Sequence, residues 1–488
     1  MRLLLATLLL VALFGSVVTS HFFEKVMALD GAVYVEAYLR VDRSCVGEVR
    51  FVIRAAGLRN LGLKEFWLLL PREPVKWSAE PEVVIRSSDL PERFEGRGVY
   101  SNVTFDLSSV EGDLTVTYEL EHACLLLEGR GLLLTPLIVY GPPLRGELRT
   151  SLIDLVTEVR SVEPAATHMT LSNGSLEARH DLPLFVNRVV ISFRAVEESV
   201  ESVASKGFTV RTHQRYAGVA SEIIDVLVNA TETFRVLFGR EVSGLVVEFY
   251  LPRDYRTGPE GFAQVPKNEV KVIKLNLLLL RRVQGLLETI ALHELVHHYL
   301  FDVGVGADAT WFHEGLAVYL SLEEGKRLGL RGAHLLEDLM RKEAAFSGQI
   351  ELRDWGPGEV RDNSWYAAAY ALIEKLFEKD ELGMMMALSN LKNLNRGLSS
   401  SDEVVMYLSK YLNEEAVSAL SRFGPVRSEV ATQMSHVTTS ATTTVTDITT
   451  RAVSAGSRKL ELDERFLLLS LVGVVMVMLL ILVREARS

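Results

Sequence analysis

The sequence predicts an α+β chain: an N-terminal antiparallel β domain, then a mixed sheet feeding a helical region, and a C-terminal apolar span. Three observations carry this reading. Between about residues 24 and 200, apolar and polar residues alternate with period two. From about residue 205 the apolar spacing becomes helical, and after 277 it stays so with few breaks. Phe466 to Val483 is apolar throughout except for Ser470, which is long enough to cross a bilayer.

Taken in order, residues 1–20 read as a signal peptide. A basic start at Met1-Arg2 leads into the apolar run Leu3 to Phe14, then small residues up to Ser20. An uncleaved anchor is the alternative, but the run is short for a span. Residues 21–203 form the β-rich domain. Val33, Val35, Ala37, Leu39 and Val41 interleave with Tyr34, Glu36, Tyr38, Arg40 and Asp42. Val49, Phe51 and Ile53, then Leu114, Val116 and Tyr118, and finally Val189, Ile191 and Phe193 repeat the pattern. Cys45 and Cys124 both fall here and fit one disulfide in an exported protein, with two buried thiols as the alternative. Asn102, Asn173 and Asn229 head Asn-x-Ser/Thr sequons.

Residues 204–424 change character. Tyr216 to Phe238 has helical spacing and ends at Gly239. Leu245 to Leu251 reads as a strand, as do Phe262 to Gln264 and Glu269 to Leu275, followed by a long helix from Leu277 to Val303. Further helices are expected at 311–325, 332–346, 363–379, 381–394, 403–412 and 414–423, with a loop from Ser347 to about Asp362. Residues 425–465 are Ser/Thr-rich, cannot bury a core, and read as a stalk. The run 466–483 is bracketed by charges at Asp463-Glu464-Arg465 and Arg484-Glu485, which marks a transmembrane helix with a cytoplasmic tail at 484–488. Basic residues flank both ends, so the signal peptide sets the orientation: a single-pass protein at the cell membrane with most of the chain outside. The formal net charge is −11 with no Lys/Arg-rich run, which disfavours nucleic acid as a partner. Nothing in the sequence fixes the oligomeric state.

The stretch that carries chemistry is His293-Glu294-Leu295-Val296-His297. Positions four apart on a helix share a face, so both imidazoles reach one point, and a zinc ion suits them. Glu294 lies about 100° around the helix, close to the metal without being forced to bind it, which suits a general base acting on water. A chance match on an ordinary amphipathic helix is the alternative. A catalytic zinc takes three protein ligands and one open position. Candidates for the third are Glu314 and His313, with Asp302 and Asp308 nearer in sequence but in a turn.

His293-Glu294-x-x-His297 followed by Trp311-x-x-Glu314-Gly315-x-Ala317-x-Tyr319 resembles the gluzincin metallopeptidases, closest to the alanyl-aminopeptidase and glycyl-aminopeptidase types. The resemblance covers roughly the second half of the chain, up to the stalk. It implies a thermolysin-like mixed sheet with helices and one Zn²⁺ per chain on His293, His297 and Glu314. Glu294 would be the base, and a peptide or protein the substrate. It implies that Trp311, Gly315, Ala317 and Tyr319 pack the ligand helix. A later tyrosine binds the oxyanion in those families, and Tyr366 matches best, with Tyr370 one turn on as the alternative. The chain departs from the families in two places. Sixteen residues separate His297 from Glu314, slightly fewer than in the alanyl type. Glu260-Gly261-Phe262-Ala263-Gln264 also stands where a G-A-M-E-N strand would be, so the amine-binding Glu has no match after Ala263. The expectation is a membrane-anchored zinc metallopeptidase, aminopeptidase-like. The alternatives are a surface endopeptidase and a non-catalytic binding protein. His298 and His313 read as pocket wall or surface, structural in role.

Overall fold

Alternating sequence becomes alternating burial. In the strand Val35–Val41, Val35, Ala37, Leu39 and Val41 are buried while Arg40 is exposed. The computed structural model describes residues 33–420, apart from 72–76, 84, 90–99, 142–143, 183–187, 253–259, 265–270, 347–349, 358 and 360. The expected leader, stalk, transmembrane helix and tail lie outside the described residues. Among the described residues no helix is long and apolar enough to cross a membrane.

The strands of the first half are β1 (Val35–Val41), β2 (Gly47–Ile53), β3 (Glu65–Pro71), β4 (Trp77–Glu80), β5 (Ile85–Asp89), β6 (Tyr100–Asp106), β7 (Leu114–Leu120) and β8 (Cys124–Leu127). They continue with β9 (Arg130–Leu134), β10 (Tyr140–Gly141), β11 (Gly146–Leu152), β12 (Val156–Glu163), β13 (His168–Ser172), β14 (Ser175–Leu182) and β15 (Val190–Ala195). A short helix, α1 (Ala55–Asn60), follows β2. They build a seven-stranded sheet, β13-β14-β11-β1-β2-β7-β4, and two four-stranded sheets, β10-β3-β6-β5 and β12-β15-β9-β8. The expected all-antiparallel pairing needs one correction: β1 and β11 run parallel, with Val35 opposite Gly146. Just over a hundred residues separate them, ample for a crossover, and nothing in a period-two pattern distinguishes the two senses of pairing. Cys45 and Cys124 form a disulfide tying the β1–β2 turn to the start of β8.

The second half opens with a hairpin, β16 (Val200–Ser205) and β17 (Phe208–His213), followed by α2 (Ala217–Phe238), β18 (Leu245–Tyr250), β19 (Gly261–Gln264) and β20 (Lys271–Asn276). The five form a mixed sheet in the order β16-β17-β18-β20-β19. β17, β18 and β20 run parallel, and β19 is antiparallel at one edge. β16 straddles the boundary expected at 203/204 and belongs to this sheet. Gly239 ends α2 in the left-handed region (φ +62), as a C-terminal glycine does.

The helix expected over 277–303 is two pieces. Leu277–Arg281 is a 3-10 turn, capped by the Asn276 side chain accepting from the Leu278 N–H (3.0 Å). Gly285, at φ +81, then turns the chain into α3 (Leu286–Asp302). α3 is buried almost all round, so its apolar residues show no single stripe and its start is hard to read from sequence. Arg281 fastens this junction to the first half: its Nη1 donates to the carbonyls of His122 (3.3 Å), Ala123 (3.1 Å) and Leu134 (2.7 Å). The remaining helices are α4 (Thr310–Arg327), α5 (Arg331–Phe346), α6 (Asn363–Asn390), α7 (Ser401–Leu408) and α8 (Glu414–Leu420). Two expected helices, 363–379 and 381–394, are thus one element, with non-helical backbone at Asp380 (φ −157, ψ 73). The Asp380 carboxylate accepts from the Gly383 N–H (2.9 Å) and the Asn413 N–H (2.6 Å), which caps the second segment.

Candidate metal centre

α3 presents His293 and His297 one turn apart, with their Nε2 atoms 3.1 Å from each other. α4 lies against α3 and brings Glu314 to the same point. Its Oε2 is 3.3 Å from His293 Nε2 and 3.6 Å from His297 Nε2. Among the described residues this is the group of His, Cys, Asp and Glu whose ligand atoms converge, all within 4.8 Å of one another. Two donors about 2.0–2.1 Å from one tetrahedral ion sit about 3.4 Å apart, so these separations fit a zinc ion at the centre. His293 and Glu314 keep 14% and 20% of their side-chain surface open, which leaves the point reachable.

Electrostatics point the same way. Glu294 is buried and Glu314 half-buried, and among the described residues neither pairs with a Lys or Arg. Burial raises Glu314, but the imidazoles of His297 and His293 outweigh it and hold the carboxyl well below the usual carboxylate range. Burial lowers His297, yet Glu314 beside it wins and leaves the imidazole raised. Burial also raises Glu294, with the two imidazoles opposing and Glu314 adding to the rise. One buried and one half-buried carboxylate facing two imidazoles form a charge set that a divalent cation completes.

Glu294 is set between these donors and the edge strand. A Cβ on Gly261 would stand 3.0 Å from Glu294 Oε1 and 2.8 Å from Ile290 Cγ2, so β19 lies against α3 only because that residue is glycine. A backbone hydrogen bond from Ala263 also reaches the Glu294 carboxyl.

Tyr366 arrives from the first turn of α6, where Asp362 caps the helix by accepting from the Ser364 N–H (3.1 Å). The approach of α6 to α4 depends on Gly315, where a Cβ would meet the Ala369 carbonyl oxygen at 2.7 Å. The small residues Ala367 and Ala369 are fully buried at that contact. Burial raises the Tyr366 hydroxyl, and Glu314, Glu294 and Glu260 add to the effect, which places the hydroxyl within their electrostatic reach. Tyr370 is turned elsewhere. Its hydroxyl donates to Glu374 (2.6 Å), within a network that includes Glu337, Lys326 and Arg341.

The other sequence candidates stay outside the cluster. Asp302 pairs with Lys271, and Asp308 is exposed. His313 stacks on His297 with centroids 5.6 Å apart, and its Nε2 lies 3.2 Å from the Val305 carbonyl. Burial lowers His313 to about 3. His298 is fully buried, and burial lowers it to about 4. Sequence reasoning missed Trp355, whose ring meets Tyr366 edge-to-face at 4.9 Å. It lies in the stretch read as a loop, so no periodicity drew attention to it.

No family model matches the sequence, and none of the curated proteins matches it. Among solved structures, the chain is similar to an M1 zinc metallopeptidase from Deinococcus radiodurans, at 15% identity and TM-score 0.32, covering 81% of this chain and 94% of that one. A variant of the same protein bound to a Tyr-Ser-Ala substrate gives 14% identity and TM-score 0.33 with the same coverage. An aminopeptidase N family protein from Idiomarina loihiensis gives 12% identity and TM-score 0.32, covering 81% of this chain and 76% of that one. Likeness at this level assigns nothing to individual residues.

Proposed function

We propose that this chain is a zinc-dependent metallopeptidase of gluzincin type that hydrolyses peptide bonds, aminopeptidase-like, and held outside the cell by its C-terminal apolar segment. The observation that carries the hydrolytic reading is the convergence of His293 Nε2, His297 Nε2 and Glu314 Oε2 on one point, with Glu294 enclosed beside it. The placement at a membrane rests on the patterns at 1–20 and 466–483.

His293, His297 and Glu314 would hold the ion. Zinc, when bound there, supplies Lewis acidity that eases deprotonation of a water and polarises the scissile carbonyl. Glu294 accepts the proton of the attacking water on its carboxylate and returns it to the leaving amine. Burial raises its affinity for protons above that of an exposed carboxylate, which favours the abstraction. The Tyr366 hydroxyl donates to the oxyanion as negative charge grows on the former carbonyl oxygen. β19 ends the mixed sheet, so its outer edge is placed to pair with an extended peptide backbone alongside Glu294. Glu260, which immediately precedes that strand and lies within electrostatic reach of Tyr366, is the carboxylate assigned to a peptide ammonium in this reading.

The test uses zinc-loaded full-length protein and matched peptides with free and blocked N-termini. Cleavage of free peptides alone is expected, with none by Glu294→Gln. Equal cleavage of blocked peptides would replace the aminopeptidase reading with an endopeptidase one. No cleavage by the wild type would remove the enzyme reading and leave a binding protein.

A further inference from the structure

We propose that Trp355 is a positioning residue for Tyr366, clamping its ring so that the hydroxyl faces the reacting carbonyl; this rests on the hydrolytic reading above. Trp355 belongs to the connection between α5 and α6, yet it is only 2% exposed, so it cannot itself meet a substrate. Its ring meets Tyr366 edge-to-face, with centroids 4.9 Å apart and planes at 80°, and meets Trp365 at 5.9 Å and 68°. Its indole N–H donates to the Glu359 carbonyl (3.1 Å), which fixes the rotation of the indole. The Arg361 guanidinium lies 4.4 Å over the Trp365 ring, and Asp362 caps the same turn. The first turn of α6 is therefore held from the loop side by three residues, Trp355, Arg361 and Asp362.

Tyr366 needs that hold. The residues after it are Ala367, Ala368 and Ala369, too small to brace a phenol ring. Its hydroxyl makes no hydrogen bond to a described residue, whereas that of Tyr370 is tied to Glu374. The ring of Tyr366 is thus fixed by packing alone while its polar end stays available. Tyrosine aims its hydroxyl through two side-chain torsions, and an edge-to-face partner restricts both. A donor that serves only the oxyanion acts in the transition state, so loosening it lowers kcat and spares KM.

The experiment is a double-mutant cycle on peptide hydrolysis using zinc-loaded full-length wild type, Trp355→Leu, Tyr366→Phe and the double variant. Zinc content and thermal midpoint are recorded for each. Trp355→Leu is expected to lower kcat about tenfold with KM and zinc content unchanged. In the Tyr366→Phe background the same substitution should change kcat less than about twofold. Trp355→Phe keeps an aromatic edge and should recover most of the loss; Trp355→Met removes that edge while keeping bulk and carries the cycle if the leucine variant does not fold. An equal tenfold loss in both backgrounds, or a loss expressed in KM, would overturn the positioning role. Failure of the hydrolytic reading is distinguishable, because it appears as absence of turnover in the wild type before any Trp355 variant is made.

Discussion

The seven-stranded sheet and the α3–α4 pair both bury carboxylates, and they neutralise them in opposite ways. On the sheet, Glu147 is only 2% exposed, yet Arg149 and Arg179 lie against it from the neighbouring positions of β11 and β14. Glu36 is shared between Arg54 and Arg149, and Tyr38 lies under the guanidiniums of Arg50 and Arg149. Charge there is settled strand by strand, and the ligand atoms do not gather. Between α3 and α4 the carboxylates of Glu294 and Glu314 face imidazoles, no Lys or Arg pairs with either among the described residues, and three ligand atoms meet. Buried charge alone is therefore a poor marker of a site. Buried charge left for an outside cation to balance is a good one.

That contrast predicts which substitutions alter chemistry and which alter only stability. The largest effect is expected from Glu294→Gln, about a thousandfold loss of kcat/KM with zinc retained, read by peptide hydrolysis and metal analysis. Loss of zinc in that variant would make Glu294 a ligand and blur the division of roles. Tyr366→Phe is expected to cost about a hundredfold in kcat, while Tyr370→Phe leaves kcat near wild type because its hydroxyl serves Glu374. The reverse pattern would move the oxyanion donor one turn along α6. On the sheet side, Glu147→Ala should destabilise the fold by about 2 kcal/mol in denaturant unfolding and leave kcat/KM unchanged. A matching loss of activity would mean that the two regions are coupled.

A last effect, on stability and not on turnover, concerns His298, which is buried neutral beside the candidate ligands without joining them. Its folded value, about 4, lies below the ordinary histidine value. The unfolded chain therefore binds more protons in between, so stability falls as pH drops from about 6.5 to about 4, by up to about 1.4 kcal/mol per pH unit. His298→Gln should flatten that part of the unfolding profile, and an unchanged slope would assign it to other groups.

What the sequence revealed follows the range of each interaction. His293 and His297 were legible because one turn of helix fixes their geometry. Glu314 was legible only through its surrounding residues, since the fold of the Gly304–Ala309 connection decides whether it returns to α3. Tyr366 depends on contacts that are distant in sequence. Gly315 must let Ala369 of α6 approach α4, and Trp355 must brace the ring, and neither carries a periodic signal. The strand alternation in β1, β2 and β7 was clear, but the parallel pairing of β1 with β11 was not, because alternation records which face is buried and not which neighbour lies alongside.

The central claim is that His293, His297 and Glu314 together hold one zinc ion. Metal analysis of the purified full-length protein and of Glu314→Ala, after dialysis against a weak chelator, tests it most directly. One zinc per chain in the wild type and loss of most of it in the variant is the predicted result. Full zinc retention by Glu314→Ala, or a wild type that takes up none from a zinc buffer, would contradict the account.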